Sequence, residues 1–99
     1  MALKHSLAEK VMKWQYLNEQ KSWVTGEKKI VKEEEWNPEI NMDDAWSLLD
    51  GFIECVVRKR ISGVSYRSWG VLNNKEYASH GNDPKQAIIN LVRKAYNIK

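Results

Sequence analysis

The chain is short of the residues that most often announce chemistry. In 99 residues it holds one cysteine, Cys55, and two histidines, His5 and His80. A lone cysteine excludes an intramolecular disulfide and a cysteine-rich metal site, and it suits a reducing compartment. Neither histidine has a second ligand at zinc spacing, and there is no P-loop, no Gly-rich dinucleotide fingerprint and no H-E-x-x-H helix. No apolar run approaches the roughly 20 residues of a membrane helix. The opening Met1-Ala2-Leu3-Lys4-His5-Ser6 is too polar for a secretory signal, so a cytoplasmic protein is expected. One catalytic pairing remains, a Cys55–His80 nucleophilic dyad. Its setting, Ile53-Glu54-Cys55-Val56-Val57, is that of a structural cysteine in an apolar strand. The sequence therefore predicts no enzyme, no cofactor and no metal, and a function insensitive to Cys55→Ser or His80→Ala.

What is present is a globular composition: 42% hydrophobic and 29% charged residues argue against disorder, and the length suits one domain, residues 1–99, with one modest core. Five tryptophans are many for this size, and Trp serves cores and binding surfaces equally well. The net charge of +3 is unevenly divided. Residues 1–52 carry seven Lys and no Arg against ten acids, while residues 53–99 carry nine basic residues against three acids. An anionic partner would accordingly meet the second half.

Ser6-Leu7-Ala8-Glu9 has the spacing of a capping box, and Leu7, Val11 and Trp14 follow at helical spacing. A first helix is expected from Ser6 to about Tyr16. Trp23-Val24-Thr25 and Lys29-Ile30-Val31 around Gly26 predict a hairpin. Lys32-Glu33-Glu34-Glu35 reads as a solvated connector and Trp36-Asn37-Pro38 as a turn. Asn41 caps a second helix whose apolar face is Met42, Ala45, Trp46, Leu49 and Phe52, with Gly51 near its end. On that pattern Trp46 is a core residue, and Trp46→Ala should destabilise by roughly 3–5 kcal/mol.

Ile53–Arg60, Val64–Leu72 and Glu76–Ser79 predict a meander, with turns at Ser62-Gly63 and Asn73-Asn74. Asp83 and Pro84 are the cap and first residue of a last helix, with Ala87, Ile88, Leu91, Val92 and Ala95 on its apolar stripe. The expected fold class is α+β: helix, hairpin, helix, three-strand meander and helix, as an antiparallel sheet packed with helices.

The meander carries the strongest candidate site. Arg58, Lys59 and Arg60 end one strand, and Arg67 and Trp69 share one side of the next by two-residue alternation, with Tyr66 on the other. Arginines beside an exposed Trp suit an anionic ligand with a flat ring, such as a nucleotide. The ligand-binding candidates are Arg58, Arg60, Arg67 and Trp69. A core Trp69 with Arg67 snorkelling along it is the alternative. The start of the last helix could also hold a phosphate beside Lys85, although Asp83 already occupies the cap.

Three blocks then resemble a known family, the phage ABA-sandwich domain of small phage and prophage proteins. They are Leu7-Ala8-Glu9-Lys10-Val11-Met12-Lys13-Trp14, the run from Trp36-Asn37-Pro38 through Asn41-Met42-Asp43-Asp44-Ala45-Trp46, and Tyr77-Ala78-Ser79 followed by Pro84 and Ala87-Ile88. The resemblance spans nearly the whole chain and implies a phage origin and an α/β sandwich, but no activity. By analogy with other small phage accessory proteins, it implies a factor that acts on the host, by blocking a defence protein or sequestering a nucleotide signal. The expected partner is a small anionic nucleotide or a host protein, in the host cytoplasm and away from membranes. Nucleic acid and self-association into a homo-oligomer are further partners compatible with the sequence.

A second comparison rests on topology. Helix, three strands and helix over residues 42–97 resembles the order of a double-stranded-RNA-binding domain. A lysine cluster would be expected where the last helix opens, and here the residues are Asp83-Pro84-Lys85-Gln86.

Overall fold

A computed structural model of the chain describes residues 3–59 and 65–98. The chain divides into two compact units, Met1–Asn37 and Pro38–Lys99. The fold is α+β with two three-stranded antiparallel sheets.

In the first unit, α1 spans Leu3–Ser6 and passes into a π-helical turn, Leu7–Val11. The long first helix expected to Tyr16 does not form. Ser6 has helical dihedrals and no capping hydrogen bond from its side chain, so it is an interior helical residue. Lys13 takes a left-handed conformation (φ 62°), and the N–H of Trp14 donates back to the Ala8 carbonyl at 3.0 Å. This is the usual way for a helix to close. The chain then enters β1 (Gln15–Leu17), which pairs with β2 (Ser22–Val24), itself paired with β3 (Ile30–Lys32). The expected hairpin is β2–β3, and β1 is a third strand that the helical spacing concealed. Its tight turn uses Lys28 (φ 63°) as the left-handed residue, not Gly26.

Trp23 is the centre of this unit. It is completely buried, and its ring lies 5.2 Å from His5, 5.6 Å from Tyr16, 5.7 Å from Trp36 and 6.2 Å from Trp14, centroid to centroid. Edge and tilted arrangements of this kind are the favourable ones for aromatic rings. Four aromatic neighbours and Leu7 supply a core that three short strands could not build from aliphatic residues alone.

In the second unit, Asn41 caps α2 (Met42–Ser47) by accepting from the Asp44 N–H at 3.1 Å, as its sequence predicts. The helix is only six residues long and ends before its pattern does. Ala45 is buried on it, but Leu48, Leu49 and Phe52 are buried by the turns that follow, not by a continuing helical face. Trp46 therefore points away and is 43% exposed. The expectation that Trp46 is a core residue is overturned, and with it the large cost assigned to Trp46→Ala.

The meander is β4 (Glu54–Lys59), β5 (Tyr66–Leu72) and β6 (Lys75–Gly81). Asn73 and Asn74 have φ of 52° and 64°, the left-handed pair that a two-residue hairpin turn needs. The Ser62-Gly63 turn lies outside the described residues. Asp83 caps α3 (Pro84–Ala95) through the Gln86 N–H at 2.9 Å, and Pro84 opens it. Ala87, Ile88, Ile89, Leu91 and Val92 are buried as α3 crosses the sheet.

Two contacts show which face α3 covers. Ser68 Oγ donates to the Ala87 carbonyl at 2.8 Å, and a Cβ on Gly81 would come within 2.6 Å of the Ala87 nitrogen. Ser68, Gly70, Leu72 and Gly81 thus line the covered face. By alternation, Arg67, Trp69 and Val71 belong to the other.

Candidate functional site

Strand register arranges that other face in rows, because residues paired across an antiparallel sheet point the same way and sit about 4.5–5.5 Å apart at Cβ. One row is Arg58, Arg67 and His80; the next is Val56, Trp69 and Ala78; the third is Glu54, Val71 and Glu76. Arg58, Arg67, His80, Ala78, Glu54 and Glu76 are exposed, and Val56, Trp69 and Val71 are half-buried. A depression of about 470 Å³ is lined by Glu54, Val56, Arg58, Arg67, Ser68, Trp69 and Ala78. That volume is in the range of small-molecule sites.

Three of the four expected site residues, Arg58, Arg67 and Trp69, therefore come together on one face. Arg60 lies outside the described residues. Sequence reasoning missed His80, which continues the basic row, and Glu54 with Val56, which complete the depression.

Arg58 and Arg67 are direct cross-strand partners, and like charges placed so are destabilising. Among the described residues no carboxylate forms an ion pair with either. The sheet thus carries two like-charged arginines side by side, next to a half-buried indole. Such an arrangement attracts an anion and offers a ring on which to stack.

The other candidate chemistries fare differently. Cys55 pairs with Gly70 and so belongs to the covered face, whereas His80 is on the open one, so the two cannot form a dyad. Burial, with the Glu54 carboxylate adding to it, pushes the Cys55 thiol up, away from the thiolate a nucleophile needs. At the start of α3, Asp83 is engaged as the cap and lies 4.0 Å from Lys85, so a phosphate there would meet a carboxylate. Among the described residues no group of three or more His, Cys, Asp or Glu is placed to hold a metal ion, and no helix is long and apolar enough to cross a membrane.

The phage ABA sandwich domain, as a family model, matches residues 5–90. The chain belongs to that family. A 2.0 Å crystal structure of a phage protein from Bacillus cereus ATCC 14579 superposes with a TM-score of 0.74, covering 98% of this chain and 86% of that one at 11% sequence identity. At such identity the likeness is one of fold alone. No curated protein matches the chain in sequence.

Within this ABA-sandwich domain the Trp36-to-Trp46 block divides by role. Trp36 and Pro38 are buried and Asn41 caps α2, which makes them structural. Trp46 is not explained in that way.

The first unit of the ABA-sandwich chain also holds a polar cluster that the sequence did not disclose. Glu33, expected in a solvated connector, lies in a 3-10 turn (Glu33–Glu35) and is bonded on both carboxylate oxygens. His5 Nε2 is 2.6 Å from Oε1, and the Tyr16 hydroxyl donates to Oε2 at 2.9 Å. Lys4 Nζ donates to the Glu33 carbonyl at 2.7 Å. The cluster ties α1 to β1 and the end of β3. The hydrogen bond from His5, and then that from Tyr16, hold the Glu33 carboxyl below the ordinary carboxylate range. A carboxyl depressed in the folded state stabilises above its unfolded value, and that contribution is lost as pH falls through the folded one. Acidification below about pH 4.5 should therefore lower the urea midpoint of the first unit, and Glu33→Gln should remove that part of the slope. An unchanged slope in the variant would show that Glu33 is not the group responsible.

Proposed function

We propose that this is a non-enzymatic binding protein whose working surface is the open face of the β4–β5–β6 sheet. The ligand is a small anion bearing a flat ring, in the class of nucleotides. The carrying observation is the cross-strand pair Arg58–Arg67 beside half-buried Trp69 in one depression. Charge pairing supplies attraction for the phosphate and the indole supplies stacking, with no nucleophile or metal required. Membership of a phage family supports a role in the host cytoplasm, as a takeover or anti-defence factor that sequesters a nucleotide signal or engages a defence protein.

The second reading is a nucleic-acid module. The order α2–β4–β5–β6–α3 favours it, since that is the order of double-stranded-RNA-binding domains. The Asp83–Lys85 start of α3 weighs against it.

Equilibrium dialysis against a panel of nucleotides tests the leading reading. Trp69→Ala should weaken the best ligand by about tenfold or more, the usual worth of a stacked base. Mass spectrometry of small molecules released from protein purified out of infected, defence-positive cells identifies the natural ligand. Nucleotide affinity unaffected by Trp69→Ala in a folded variant would remove this surface from consideration.

A further inference from the structure

The open face has a direction. Along β4 the outward residues are Glu54, Val56 and Arg58, at successive two-residue steps, so acid and base stand about 13 Å apart along the strand with an apolar position between them. On the neighbouring strands the matching positions are Val71, Trp69 and Arg67 on β5, which has no acid, and Glu76, Ala78 and His80 on β6, which begins with one. Both ends of β4 line the same depression as Trp69. Among the described residues Glu54 forms no ion pair.

We propose that the ligand is a nucleotide whose base carries an exocyclic amine, held in one orientation: phosphate at Arg58 and Arg67, base over Trp69, amine at Glu54. This rests on the proposed function above. The Glu54 carboxylate accepts hydrogen bonds and cannot donate, so the edge of the base that meets it must present a donor. Adenine, guanine and cytosine carry an exocyclic amine. Hypoxanthine lacks one: where adenine has its amine it has a carbonyl oxygen, whose lone pair would meet the carboxylate, and its ring N1–H is the only donor left on that edge. The reversed orientation would put phosphate against Glu54 and Glu76, anion to anion. Ala78, across Trp69 from Val56, has only a methyl group and leaves room beside the indole for a ring.

The test compares adenosine, guanosine and inosine monophosphates on the intact protein and on Glu54→Gln, with Trp69→Ala measured in parallel. Glutamine keeps the shape of glutamate but offers both a donor and an acceptor. On the intact protein an amine-bearing nucleotide should bind about tenfold or more tighter than inosine monophosphate, the usual worth of a hydrogen bond to a charged group. On Glu54→Gln the ratio should fall to about twofold or less, because the amide can pair with either edge. A ratio near one on the intact protein, with affinity still lost in Trp69→Ala, overturns the orientation and leaves the binding surface standing. A ratio that persists in Glu54→Gln assigns the discrimination to another residue and overturns the role of Glu54. Absence of binding by all three, or binding indifferent to Trp69→Ala, overturns both this inference and the function it rests on.

Discussion

Trp23→Ala should lower the stability of the first unit by about 3–5 kcal/mol, the range for deleting a fully buried large aromatic. That is a large share of the stability of a small domain, so the unit should be unfolded or close to it at room temperature. The ring contacts four aromatic neighbours, and no short rearrangement of β1, β2 and β3 can refill its volume. Its indole N–H has no hydrogen-bond partner among the described residues, so the variant forfeits packing and no polar bond. Removing an unsatisfied buried donor offsets a little of the loss. Trp46→Ala provides the contrast. Trp46 is 43% exposed, and its truncation should change stability by no more than about 0.5–1 kcal/mol. Urea melts of the two variants, followed by backbone amide signals in each unit, measure both effects. Equal midpoints for the two variants would mean that the core of the first unit is not built on Trp23.

That reversal shows where the sequence could be read and where it could not. Leu7, Val11 and Trp14 fit a helical stripe, but Lys13 breaks the helix by adopting φ 62°, and lysine carries no signal for that conformation. What favours the break is the pairing of β1 with β2 and the docking of Trp14 beside Trp36 (centroids 5.0 Å apart), both long-range gains that local spacing does not record. In α2, Met42, Ala45, Trp46 and Leu49 also fit a helix, yet the helix ends at Ser47 and the apolar residues beyond it are buried by turns. Periodicity identifies a face only as far as the element persists.

Two of the three expected caps and the Asn73-Asn74 turn were legible because their chemistry is local, while the Ser6–Glu9 capping box did not form. Asn41 and Asp83 cap as expected, and Asn73-Asn74 makes the predicted turn. A two-residue turn also fixes register. Placed at Asn73-Asn74 it puts Leu72 opposite Lys75, and counting outward gives Trp69 opposite Ala78 and Arg67 opposite His80, the pairs found between β5 and β6. A turn centred on Ser62-Gly63, in the stretch outside the described residues, would likewise put Arg58 opposite Arg67 and Glu54 opposite Val71, and those pairs are found between β4 and β5. His80 and Glu54 could thus have been placed beside Arg67 and Trp69 from the turns alone. The Glu33 cluster had no such route. His5, Tyr16 and Glu33 meet through tertiary packing, and their separation in the chain carries no recognisable spacing.

Reversing both charges, in the double variant Arg58→Glu with Arg67→Glu, should abolish binding of an anionic partner. Each position changes from attraction to repulsion, and the two are adjacent on the sheet. The fold should tolerate the change, because both side chains are exposed and the pair is like-charged before and after, so a melt matching the parent is the first control. Salt then separates the classes of anion. A long nucleic acid that contacts six or more phosphates loses affinity by orders of magnitude between about 50 and 200 mM salt, because each contact releases a condensed counterion. A nucleotide held by two arginines and a stacked indole should lose far less over that range, since stacking is not screened. A host protein would give a third pattern: reversed rim charges slow association, while dissociation is set by whichever aromatic side chain is buried at the centre of contact. Affinity lost in the double variant, weak salt dependence and sensitivity to Trp69→Ala together are the result expected for a nucleotide. A steep salt dependence would favour the nucleic-acid reading instead. Affinity unchanged by the double reversal would move the search to exposed Trp46 on α2 and to the loop between β2 and β3.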